Sequence, residues 1–76
     1  MTATRIPLLA HVALIVDLPE HGLTRGQLGT VVEELGTETA GALLVEFSDD
    51  RGQAYAFAEV RPDQVIHLHR RTTEAA

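Results

Sequence analysis

Short apolar runs alternate along this chain with polar breaks that carry glycine or proline, and inside the runs apolar residues recur at every second position. Period two marks strands, whose successive side chains point to opposite faces. The first run covers residues 8–18. Val12, Leu14, Val16 and Leu18 fall on one face of it, and His11, Ala13, Ile15 and Asp17 on the other. Its valine and isoleucine, and the Pro19 that closes it, favour a strand over a helix. A loop over residues 19–27 is long enough to fold back over the sheet, and a second strand follows at 28–35. The third strand, 42–47, sets Leu43, Val45 and Phe47 against Leu44 and Glu46. The fourth, 53–59, sets Tyr55 and Phe57 against a smooth strip of Ala54, Ala56 and Ala58. Phe47 and Phe57 are expected in the core, with Tyr55 at its rim and its hydroxyl wet. A short fifth strand occupies 65–70.

The breaks have their own chemistry. Gly22, Gly26 and Gly29 punctuate the passage from loop to second strand, relaxing the backbone just before the β-branched Thr30-Val31-Val32. A turn is expected over 36–41. Ser48-Asp49-Asp50-Arg51-Gly52 reads as a hairpin connection, because Asp side chains bond nearby amides and Gly52 accepts positive φ. Pro62, inside Arg61-Pro62-Asp63-Gln64, predicts a single 3₁₀ turn. Five short strands, a long loop after the first and one 3₁₀ turn before the last predict an all-β fold, a small five-stranded SH3-like barrel. Closure or near-closure would remove the exposed edges of a flat sheet. Residues 1–7 then form an N-terminal arm, 8–70 the barrel, and 71–76 a disordered tail.

Leu18-Pro19-Glu20, Gly22-Leu23, Arg25-Gly26-Gln27 and Gly29-Thr30-Val31-Val32-Glu33, followed by Val45-Glu46-Phe47 and Asp63-Gln64-Val65, resemble the bacterial domain of unknown function family 4926. The resemblance runs from about Val12 to Leu68. The part from Gly26 to Val32 is also similar, more loosely, to the KOW motif and to the barrel of the nitrile hydratase β subunit. All three resemblances imply an SH3-like fold. They imply no common activity, since small barrels host unrelated functions.

Composition narrows the functional classes. Seventy-six residues make one domain. There is no cysteine, so neither a disulfide framework nor a thiolate metal site supports the core. Eleven Asp and Glu stand against six Arg and no Lys, for a net charge of −5. That sign opposes phosphate backbones, so nucleic acid is not an expected partner. No apolar run reaches the length of a membrane span, and residues 1–7 lack the apolar core of a signal peptide. A cytoplasmic location is expected.

Candidate chemistry is thin. His67 and His69 lie two apart on a strand, near enough to share a metal ion, with His11 on the first strand as a third ligand. The competing arrangement puts both histidines outward in solvent and Ile66 and Leu68 inward. Glu33 and Glu34 point to opposite faces and cannot act as an acid–base pair, while Asp49 and Asp50 are explained by turn chemistry. Ser48 is the only serine, and no histidine can be argued to activate it. Arg25 in the glycine-rich loop is the one residue there able to grip an anionic group. Arg25, Tyr55, Asp49 and Asp50 are therefore the candidate partner contacts. No cofactor is implied.

The function expected is a non-enzymatic, acidic protein-interaction module, one form of which neutralises a basic or toxin-like partner protein. The alternatives are an accessory or chaperone-like subunit of a metalloenzyme, by the nitrile hydratase resemblance, and a KOW-like RNA or ribosome contact. The sequence does not fix the oligomeric state; a homodimer would form through an edge strand or through the alanine strip at Ala54, Ala56 and Ala58.

Overall fold

Val12 and Leu14, alternating with His11 and Ala13, make strand β1 (His11–Leu14), and both are fully buried in a computed structural model that describes residues 6–35 and 41–69. The strand is shorter than the apolar run that contains it. Upstream, Leu9 takes φ 69 and Ala10 donates its N–H to Pro7 O at 3.1 Å, turning the chain before pairing begins. Downstream, Leu14 donates to Gln27 O and Ile15 to Gln64 O, so the ladder gives way to loop contacts. Ile6, inside the segment expected as an arm, is buried with the core.

The loop that follows is built rather than slack. Pro19–His21 forms one 3₁₀ turn, Gly22 ends it at φ 70, and Leu18 bridges Leu23, which inserts into the core at 2 % exposure. Gly26 takes φ 97 and donates to Leu14 O at 2.7 Å, delivering the chain to β2 (Leu28–Leu35). Strands β3 (Ala42–Ser48), β4 (Ala54–Val60) and β5 (Val65–Leu68) complete the sheet. The turn expected over 36–41 lies outside the described residues, except for Gly41 at φ 66. The second 3₁₀ turn, Pro62–Gln64, sits directly before β5, as the sequence predicts.

The five strands form one antiparallel sheet in the order β4-β3-β2-β1-β5. Among the described residues β4 pairs only with β3 and β5 only with β1, so the sheet keeps two edges. It also curls. Val12, Leu14, Val31, Leu43, Val45, Phe47, Ala58, Val60 and Val65 come from all five strands into one buried cluster. Each fully buried Val, Leu or Phe contributes about 1.5–3 kcal/mol over its exposed state, which is how an uncrosslinked chain of this size holds together. Two irregularities bend the ladders: Val32 is extra against β3, and Tyr55 is extra in β4.

Register decides the faces, and it reverses two expectations. Phe47 pairs with Ala56 and Val45 with Ala58, so these two alanines of β4 face the core and leave room for the bulky Phe47, while Ala54, beyond the bulge, is exposed. Phe57 is accordingly 55 % exposed, and Ala58, at 2 %, offers no outward strip for a second chain. In β5, Val65 pairs with Leu14 and His67 with Val12, the buried side of β1, whereas Ile66 and Leu68 pair with Ala13 and His11. Ile66 and Leu68 are the outward residues, not the inward ones, and His67 is half-buried.

Candidate interaction surface

The outward positions of the strands line up across the sheet. Leu68, His11, Thr30, Glu46 and Phe57 form one row through successive pairings, and Ile66, Ala13 and Leu28 form a second beside it. Leu28, Ile66, Phe57 and Leu68 are all exposed, and so is Tyr55. At one end Glu33, Leu44 and Glu59 make a third row, with the two carboxylates flanking the leucine. At the other end stands the β3–β4 hairpin with Asp49 and Asp50. The strand residues of this face thus carry Glu33, Glu46 and Glu59 and neither Lys nor Arg. Apolar groups and carboxylates therefore share this side of the sheet, with Glu46 between Thr30 and Phe57 and Arg51 beside the two aspartates of the hairpin.

Tyr55 is tied to this face. Its hydroxyl oxygen accepts a hydrogen bond from Gln27 Nε2 at 2.8 Å, which leaves the phenolic hydrogen for another acceptor. Gln27 is itself held by Thr24, whose backbone N–H donates to Gln27 Oε1 at 2.6 Å. The long loop therefore positions the rim of the surface through one glutamine side chain.

Asp49 has a double role. Its Oδ1 accepts from the backbone N–H of Arg51 and of Gln53, each at 2.9 Å, shaping the hairpin as the sequence predicts. It also lines a cavity of about 400 Å³ together with His11, Leu28, Gly29, Thr30, Ser48, Leu68 and His69. Asp50 is exposed beside it at the turn. Arg25 lies elsewhere: its backbone N–H donates to Asp17 Oδ1 at 2.8 Å, and the residue is exposed.

The histidines divide. His67 and His69 do share a side, with ring centroids 4.0 Å apart. His11 is paired across from Leu68 on the outer face, with its Nδ1 3.3 Å from Thr30 Oγ1, while His67 sits across from Val12 on the buried side. The three do not assemble, and among the described residues no group of three or more His, Asp or Glu side chains is placed to hold a metal ion. Glu33 pairs with Leu44 and Glu34 with Leu43, on opposite faces, as their adjacency predicts.

Of the residues on this face, the sequence names Tyr55 and Asp49 as candidate partner contacts and His11 as a candidate metal ligand, and it does not single out Leu28, Phe57, Ile66 or Leu68 as surface residues. In β5 both faces are apolar enough to be the inner one, so periodicity alone cannot choose between them. The signal that resolves β4 is the size of its residues: a strip of alanines fits opposite a large Phe47, where a second aromatic would overfill the core.

The architecture and this surface define a small all-β domain with no helix, among its described residues, long and apolar enough to cross a membrane. The chain belongs to the family described as Domain of unknown function (DUF4926), whose model matches residues 8–67. No curated protein and no solved structure matches it.

Proposed function

We propose that this chain is a non-enzymatic, cytoplasmic protein-interaction module that docks a basic partner protein on the outer face of its sheet. One observation supports this above the rest: the outward side of the sheet exposes Leu28, Ile66, Leu68, Tyr55 and Phe57, and the Asp, Glu, Lys and Arg positions its strands carry there are all carboxylates. Exposed apolar groups grouped together mark interaction sites, where scattered ones do not. Acidic groups around such a site speed the approach of a basic protein and reject acidic ones. The net charge of −5 acts in the same direction at longer range. Neutralising a toxin-like protein by covering its basic surface is one form of this role.

The reading is tested by nuclear magnetic resonance titration of the labelled chain with amphipathic peptides of equal hydrophobicity and opposite charge. The basic peptide is expected to shift amides of the outer-face residues, and Phe57→Asp or Leu28→Asp to abolish that response while the thermal midpoint holds. Equal binding of the acidic peptide, or shifts confined to the side opposite this face, overturns the proposal.

A further inference from the structure

The 400 Å³ cavity on this face has a composition that a flat apolar contact does not require. Leu28 and Leu68 are the apolar side chains of its lining, and Ser48, Thr30, His11, His69 and Asp49 are the polar ones. Resting on the docking reading above, we propose that this cavity receives one arginine side chain of the partner protein. The methylene stem would lie along Leu28 and Leu68, as long cationic side chains do on apolar surfaces. The guanidinium head would meet Asp49, with the hydroxyls accepting its remaining N–H groups.

Three features select this occupant. The turn uses Asp49 Oδ1 for both of its backbone hydrogen bonds, and the second carboxylate oxygen takes part in neither. Arginine presents five donors in a planar fork, which suits several acceptors spread around one hollow better than a point charge does. An anion fits poorly, because Asp49 is the one formally charged carboxylate or guanidinium in the lining and it repels negative charge. Gly29 adds no side chain to this lining.

The probe is N-acetyl-arginine amide, titrated at millimolar concentration into the labelled full chain, with N-acetyl-citrulline amide as an uncharged analogue of similar shape. Arginine is expected to give saturable shifts at Gly29, Thr30, Asp49 and Leu68, and citrulline to give shifts at least several-fold weaker. Asp49→Asn keeps the Oδ1 acceptor that the hairpin needs and removes only the charge; it is expected to weaken arginine binding roughly five-fold, the effect of one partly exposed ion pair. Glu20→Gln makes the same charge change at an exposed residue outside the cavity and is expected to leave the affinity unchanged. Equal loss in both variants would show long-range attraction alone and overturn the assignment. So would shifts of the same amides by inorganic phosphate with arginine inert. A peptide of leucine and phenylalanine without basic residues separates the two proposals. If it binds the outer face of the wild type but not of Phe57→Asp, and arginine leaves the cavity amides unmoved, docking stands and the arginine site falls.

Discussion

Gly29 of β2 faces Phe47 of β3 across the ladder, and the space a side chain at Gly29 would need is already filled. A Cβ there would lie 2.5 Å from Val45 Cγ1, 2.9 Å from Glu46 O and 3.1 Å from Phe47 Cδ2. The backbone carbonyl cannot yield as a flexible side chain would. Gly29 is thus required by close approach, whereas Gly22 and Gly26 are required by positive φ.

That distinction predicts different penalties. Gly29→Ala is expected to destabilise by about 2–3 kcal/mol through overpacking, and Gly29→Val by more. Gly22→Ala meets no atom within 4 Å and costs only its left-handed conformation, about 1 kcal/mol. Urea denaturation of the two alanine variants checks this; equal, mild losses would falsify the packing account.

The two phenylalanines make a second pair of expectations. Phe47 is fully buried and Phe57 is more than half exposed. Phe47→Ala should cost about 3–5 kcal/mol, enough to leave so small a domain largely unfolded. Phe57→Ser should stay within about 0.5 kcal/mol of wild type, as surface changes do. Circular dichroism melts of both variants suffice, and a collapse of the Phe57 variant would place that ring in the core after all.

Much of this architecture is legible in the residues themselves. β2 occupies the span its pattern predicts, the inward triplet Leu43, Val45 and Phe47 is the buried one, and Asp49 and Pro62 do the turn chemistry their types favour. What is illegible is pairing register. The exposure of Phe57, Ile66 and Leu68 follows from which residue each strand sets against its neighbour, a long-range property that alternation in a single strand does not carry. The candidate surface suffered most, because its apolar residues look like core residues until the register is known.

The turn before β5 offers a comparison of two side chains that sit together. Arg61 Nε meets Asp63 Oδ1 at 3.0 Å, but both side chains are largely exposed, so solvent screens the pair. Gln64 Oε1 instead accepts the backbone N–H of Arg61 at 2.8 Å, and Gln64 O accepts the N–H of Ile15. Gln64→Ala is expected to cost about 1 kcal/mol, the usual effect of losing a cap, and Asp63→Ala less than about 0.5 kcal/mol. Chemical denaturation in low and high salt separates them, since only the Asp63 effect should fade with salt.

The hydrogen bond from Gln27 to Tyr55 joins the long loop to β4, residues 28 apart in sequence. Both partners are at the surface, so its contribution to global stability should be small, about 0.5 kcal/mol in a double-mutant cycle of Gln27→Ala and Tyr55→Phe. Its larger effect should be local. Without it, the Gln27 side chain loses its hold on β4, and the segment from Thr24 to Gln27 is held by its own turn, by the backbone bonds of Gly26 and Gln27 with Leu14 and by the contact of Arg25 with Asp17. Tyr55→Phe is therefore expected to raise amide hydrogen exchange in residues 24–27 several-fold while the exchange of β3 is unchanged, because local opening and global unfolding draw on different free energies. Faster exchange throughout the sheet would instead make this contact part of the cooperative core, and an unchanged loop would mean that Tyr55 is held at the rim by β4 alone.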